Sequence, residues 1–176
     1  AGAEWRTGAV SEMANLDQAL QACEDALLEK EFTQFSWHLQ VRLEDQPLLD
    51  GLSDEELAWL GQRLESLRFS PGEVICRKGD ASRLVYLIEK GQVDVLLPQG
   101  SDDKPRRSKG RKVASFCGGA VVGEAAFFDH APRSADAVAA SKVVALGLDP
   151  KNIAGGPEDG VAAHIRARIY QNLAGL

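Results

Sequence analysis

The chain predicts a mainly β domain, a sandwich or barrel of short strands with flanking helices, and three observations carry that expectation. Between Val74 and residue 148 the apolar residues fall in runs of four to seven, rich in Val, Ile and Leu and punctuated by Gly72, Gly79, Gly91 and Gly118. That is the rhythm of short strands joined by tight turns. Before Pro71-Gly72 and after Gly155-Gly156-Pro157 the apolar period is helical instead. With 44% apolar residues in 176, there is enough to bury one core and carry an appendage.

Residues 1–12 have no apolar period and read as disordered or as a cloning remnant. A helical connector is expected over 13–46. Leu16, Leu20, Cys23 and Leu27 repeat at helical spacing, with Asn15 as N-cap and Gln18 able to reach back to it. Over 32–43 the spacing leaves two readings open. Phe35, Trp37, Leu39, Val41 and Leu43 alternate like a strand, while Phe32, Phe35, Leu39 and Leu43 fit a helix. The compact domain is expected over 47–176. It opens with a helix capped by Ser53, with Glu56 closing a capping box, Leu52 and Leu57 as a hydrophobic staple, and the helical region ending at Pro71-Gly72. Strands follow over Val74–Arg77, Leu84–Glu89, Gln92–Leu97 and Lys112–Phe116, with two more between 136 and 148. Val161, Ile165, Ile169, Tyr170 and Leu173 mark a last helix.

Charge and cysteine content narrow the function. The formal net charge is −6, yet Lys104, Arg106, Arg107, Lys109, Arg111 and Lys112 put six positive charges in one stretch, so the remainder carries −12. Such a balance argues against nucleic acid as the main partner. The basic stretch reads as a solvated hairpin tip or, more sharply, as a contact for an anionic lipid or protein surface. Cys23, Cys76 and Cys117 form no C-x-x-C pair, which signals neither a disulfide framework nor a zinc site and suits a reducing cytosol. No apolar run approaches the ~18–20 residues that cross a bilayer, and no signal peptide opens the chain. If the parent is a membrane protein, its membrane part is expected elsewhere. His38, His130 and His164 show no catalytic or metal spacing, so neither an enzyme nor a bound cofactor is expected.

The stretch from Val122 to Ala137 carries the chemistry. Gly123 allows close backbone approach, and a short helical turn after it would offer the main-chain N–H groups of Ala125 and Ala126 to an anion. Arg133 can hold a phosphate bidentately, Ser134 adds a hydroxyl, and Glu124 can accept hydrogen bonds from a sugar hydroxyl. A compact anion with a hydroxyl beside it is the ligand these groups describe.

At Gly123, Glu124, Pro132, Arg133, Ser134 and Ala135 the chain resembles the phosphate-binding cassette of the cyclic nucleotide-binding domain family. The segments Pro71–Asp80 and Val85–Val95 resemble its opening strands. The resemblance implies a double-stranded β-helix, or jelly-roll, barrel with helices at both ends. It implies cAMP or cGMP as ligand, with the carboxylate of Glu124 on the ribose hydroxyl and Arg133, Ala125 and Ala126 on the cyclic phosphate. It also places a helix before Pro47. Two positions depart from the pattern: Val122 stands where an aromatic is usual, and Asp136 where a threonine or serine is. A carboxylate three residues beyond Arg133 either pairs with that guanidinium or repels the phosphate. The family's final lid helix is expected to be short or absent, leaving Tyr170 or Leu173 as candidates to stack on the base. Residues 15–28 look like the last helix of a STAS domain, as found before such modules in SulP-type permeases and some glutaminases. Two functions stay open: a cytoplasmic regulatory module that binds cAMP by preference and signals to a neighbouring transporter or enzyme domain, and a degenerate module that keeps the fold for protein interaction.

Overall fold

The computed structural model describes residues 40–97, 110–124, 132–154 and 159–174. The chain divides into two units, Ala1–Gln34 and Phe35–Leu176, and every described residue belongs to the second. The helix expected over 15–28, the basic residues from 104 to 109, His38, His130, and the turn at Ala125 and Ala126 lie outside the described residues.

Strands β1 (Glu65–Phe69), β2 (Val74–Cys76), β3 (Val85–Lys90), β4 (Val93–Leu97), β5 (Arg111–Phe116), β6 (Val121–Val122), β7 (Asp136–Ala139) and β8 (Val143–Leu148) build two four-stranded antiparallel sheets. One runs in the order β1-β8-β3-β6 and the other β2-β7-β4-β5. Apart from β4 and β5, which follow each other in the chain, neighbours in each sheet are distant in sequence, as a jelly roll requires.

The alternation of side chains explains why β3 reads as an unbroken apolar run. Tyr86 and Ile88 join Ile75, Cys76, Val93, Val122, Ala137, Ala139, Val143 and Ala145 in the core between the two sheets. Val85 and Leu87, on the opposite face, pack with Leu148 against Leu48, Leu49, Leu60, Ile153, Ile165, Ile169 and Leu173 of the helical layer. A strand buried on both faces loses the polar half of its pattern.

That helical layer consists of 3-10 turns at Leu43–Asp45, Pro47–Leu49 and Pro150–Ile153 together with α1 (Asp54–Gly61) and α2 (Gly160–Leu173). Buried Gln46 donates from Nε2 to the carbonyl of Ile88 at 3.1 Å, and Asn172 donates from Nδ2 to the carbonyls of Leu48 at 2.9 Å and Asp50 at 3.0 Å. The layer is therefore pinned to β3 and to itself by side-chain bonds as well as by packing.

The capping box on α1 forms as expected: the N–H of Glu56 donates to Ser53 Oγ, and the N–H of Ser53 donates to Glu56 Oε2 at 2.8 Å. The other oxygen, Oε1, meets Nδ1 of His164 on α2. The Ser53 main-chain bond first, and His164 second, hold the Glu56 carboxyl below its ordinary value of 4.5. A depressed carboxylate contributes stability that is present above 4.5 and lost as pH falls through the folded-state value. Thermal unfolding followed from about pH 6 to about pH 3 should therefore show a steeper loss in the wild type than in Glu56→Gln. Parallel curves would mean that the carboxylate contributes nothing.

Three expectations need correction. Glu65–Phe69 is a strand, not the end of a helical region, because α1 stops at Gly61 and β1 pairs from Glu65↔Gly147 to Phe69↔Val143. In the stretch taken as helix over 32–43, residues 40–42 are not helical, and the N–H of Val41 donates to the carbonyl of Glu89 at 2.8 Å. Val121–Val122, unassigned from sequence, pairs with Tyr86 and Leu87. A long-range sheet partner decides each case, and no local pattern announces one. Among the described residues no helix is long and apolar enough to cross a membrane.

Candidate functional site

Small side chains leave a cavity of about 270 Å³ at the junction of the two sheets, lined by Cys76, Val95, Ala114, Phe116, Val122, Gly123, Glu124 and Pro132–Ala137. Its volume is near the low end for small-molecule sites, roughly 300–1,000 Å³. Ala114, Ala135, Ala137 and Gly123 occupy places where a larger side chain would fill the space. Its lining is polar at Glu124, Arg133, Ser134 and Asp136 and apolar at Val95, Ala114 and Phe116.

Arg133 dominates the polar lining. It is 5% exposed, its Nη1 donates to the carbonyl of Gly123 at 2.8 Å, and its Nη2 donates to the carbonyl of Leu84. Its Nε is buried and has no partner among the described residues. No carboxylate among the described residues forms an ion pair with it. The guanidinium also lies 5.7 Å from the centre of the Tyr86 ring, within cation–π range. A buried cation that the described residues meet only with carbonyl dipoles and a ring face is incompletely compensated by them, and an anion in the cavity would complete it.

The main chain fixes where this guanidinium starts. The N–H of Arg133 donates to the carbonyl of Asp80 at 2.9 Å, and the N–H of Gly79 donates to the carbonyl of Arg133 at 2.8 Å. The partner turn, Arg77–Asp80, is closed by Asp80, which takes the N–H of Arg77 on Oδ2 at 2.8 Å, and Gly79 supplies the left-handed φ of +88° that it needs. The same turn binds Asp136, whose Oδ1 accepts the N–H of Lys78 at 2.7 Å. Asp136 thus does not pair with Arg133; its carboxylate is tied to a turn that both residues share.

Electrostatics inside the wall follow from burial. The Cys76 thiol is pushed up by desolvation, against the pull of Arg133, and is therefore a poor nucleophile. Burial also raises the Tyr86 phenol, whose hydroxyl donates to the carbonyl of Ile75 at 3.3 Å.

The cavity brings together Val122, Gly123, Glu124, Arg133, Ser134, Ala135 and Asp136. Tyr170 does not line it. It lies 42% exposed on α2, whose buried face serves the helical layer, and Leu173 belongs to that layer's core. Neither is placed to stack on a base in the cavity. Reading the sequence missed Cys76, Leu84 and Tyr86; the Lys78-Gly79-Asp80 turn signal was legible, but its docking onto Arg133 was not. Among the described residues no group of His, Cys, Asp or Glu could hold a metal ion.

Comparison with known proteins agrees with this geometry. The chain is 32% identical over 121 residues to a cAMP-dependent protein kinase regulatory subunit of Colletotrichum orbiculare, covering 68% of this chain and 29% of that one. It is 31% identical over 163 residues to glutaminase 1 of Bradyrhizobium diazoefficiens, covering 92% of this chain and 24% of that one. The chain thus spans about a quarter of the length of these curated relatives. In fold it is similar to the N-terminal domain of a transcriptional regulator from Streptomyces coelicolor, with a TM-score of 0.61 at 23% identity over 76% of this chain and 87% of that one. Residues 66–155 match the model of the cyclic nucleotide-binding domain. Every residue that lines the cavity falls inside that matched stretch, and the chain belongs to the cyclic nucleotide-binding domain family.

Proposed function

We propose that the chain is a regulatory module that binds a cyclic nucleotide in the cavity around Arg133 and passes occupancy to a neighbouring domain of a longer cytoplasmic or membrane-attached protein. The observation that carries this reading is the buried guanidinium in the cavity wall, which among the described residues has no carboxylate partner and no partner for its Nε. Arg133 takes the cyclic phosphate, with the N–H groups of Ala125 and Ala126 and the hydroxyl of Ser134 beside it. Glu124 takes the ribose hydroxyl, and the apolar lining takes the base. The chain itself performs no catalysis in this reading.

A route for the signal is built into the fold. The carbonyl of Leu84 that holds Arg133 immediately precedes β3, and β3 carries Val85 and Leu87 on the face packed against the helical layer. Ligand contacts that redistribute the bonds of Arg133 therefore bear on the strand that supports α1 and α2. The shift cannot exceed the ligand's differential affinity for the two arrangements. The likeness to glutaminase 1 covers 92% of this chain, so it reaches into the N-terminal region where the sequence looks like a STAS helix; an enzyme or a transporter is the neighbour we propose. Arg111 and Lys112, exposed at the start of β5, belong to the basic stretch proposed to meet an anionic surface.

Calorimetric titration with cAMP and with cGMP tests the reading. Saturable binding of both is expected, with cAMP modestly tighter, because Ser134 has a hydroxyl but lacks the methyl of the threonine that cGMP-selective relatives often carry there. Clear cGMP selectivity would reverse the base preference. The second reading, a module that binds no nucleotide, is favoured by one observation: both Nη atoms of Arg133 already serve the protein's own carbonyls. The absence of binding heat from either nucleotide, on a folded chain, would establish it.

A further inference from the structure

We infer that a second cavity, between the loop entering β3 and the turn after β8, is an anion site for a small phosphomonoester, with Arg83 and Lys151 as its cations. The cavity is about 450 Å³ and is lined by Ala81, Ser82, Arg83, Leu84, Asp149 and Lys151. None of these lines the cavity around Arg133, so the inference goes beyond the nucleotide reading and stands without it. Strand pairing brings the two cations together. β3 and β8 run antiparallel with Val85 opposite Leu148, which sets the residues just before β3 beside those just after β8. The main chain on both sides is braced. The N–H of Leu84 donates to Ser82 Oγ at 3.3 Å, and the N–H of Lys151 donates to Asp149 Oδ1 at 2.9 Å. Asn152, next along the turn, donates from Nδ2 to the carbonyl of Arg63 at 3.1 Å. Cations carried on fixed turns lose less freedom when they bind.

The donors fit a phosphate. Arg83 offers a planar fork, Lys151 an ammonium, and the Ser82 hydroxyl, which accepts from Leu84, keeps its proton to donate. Asp149 is the one carboxylate among the described lining residues, and it is committed to capping its own turn. Two positive charges thus meet one negative charge there, in a chain whose formal net charge is −6. Both cations are exposed, so an anion reaches them without any opening of the fold. A doubly charged monoester gains more from them than a singly charged diester. The volume lies within the roughly 300–1,000 Å³ of small-molecule sites, which suits a phosphate carried on a small molecule.

The test is an NMR titration with glycerol 3-phosphate in phosphate-free, low-salt buffer, following the amides of Ser82, Arg83, Leu84 and Lys151. At about pH 7.5 a monoester with a second pKa of ≈ 6 is doubly charged. Saturable shifts are expected at those amides. Arg83→Gln and Lys151→Gln should each weaken binding at least about fivefold, whereas Lys151→Arg, which keeps the charge, should stay within about twofold of wild type. Dimethyl phosphate, a singly charged diester, should bind at least about fivefold more weakly than the monoester. Both residues are exposed, so the substitutions leave the fold intact. Unmoved amides, binding unchanged by either glutamine, or dimethyl phosphate binding as well as the monoester would overturn the site. Shifts confined to residues around Arg133 would place the anion in the first cavity and overturn it too. Cyclic nucleotide binding is measured separately, and its failure would remove the nucleotide reading without touching this site.

Discussion

Replacing Arg133 with alanine should weaken cyclic nucleotide binding by about 2–4 kcal/mol, roughly 30- to 700-fold in Kd. The guanidinium is the single cation among the described lining residues, and a buried charged partner is expensive to remove. The fold should survive the change, because two effects on stability oppose each other. The substitution strands the carbonyls of Gly123 and Leu84, which Nη1 and Nη2 satisfy. It also removes a 5% exposed cation that has no ion pair among the described residues and an unsatisfied Nε. Arg133→Lys keeps the charge but not the fork, and should fall between wild type and alanine. Calorimetry beside thermal unfolding separates the two quantities. An Arg133→Ala protein that unfolds at the wild-type temperature and binds with unchanged affinity would place the ligand elsewhere.

Gly123→Ala should damage the same site from the other side. Gly123 adopts φ +89°, which costs a residue with a side chain about 1–3 kcal/mol, and an added Cβ would overlap Nη1 of Arg133. Relief by rotating the guanidinium is not free, because it is held on the carbonyls of Gly123 and Leu84. The expected outcome is a loss of about 1–3 kcal/mol of stability together with a drop in affinity of at least about tenfold. A double-mutant cycle isolates the cause: in the Arg133→Ala background the Cβ meets no guanidinium, so Gly123→Ala should cost only the backbone strain. Additive effects on affinity would show that the glycine acts independently of Arg133.

Much of this molecule was legible before any coordinates. The strands β2, β3, β4, β5, β7 and β8 follow from short apolar runs and glycine turns, because those signals are local to each strand. The cap of α1 was equally readable, since Ser53 and Glu56 are three residues apart and satisfy each other. Gly123, Glu124, Arg133 and Ser134 could be chosen as candidates because their chemistry and order form a motif within one stretch of chain. β1 and β6 were not legible. Leu67 and Phe69 offer too few apolar positions to tell a strand from a helix, and a two-residue strand is defined by its partner alone.

At the site, the sequence by itself determined the residue types: a guanidinium, a hydroxyl, a carboxylate and a close-approach glycine in one order. Only the tertiary structure decided what surrounds them. It put Tyr86 and the carbonyl of Leu84 against Arg133, left Nε without a partner among the described residues, and moved Tyr170 away from the cavity. It also resolved the position of Asp136, which sequence spacing set equally well beside Arg133 or against a phosphate. Lys78 lies 58 residues away in sequence, yet its N–H takes the carboxylate. Motifs are written along the chain, but the field at a buried charge is summed over all neighbours in space, and sheet pairing is what chooses those neighbours.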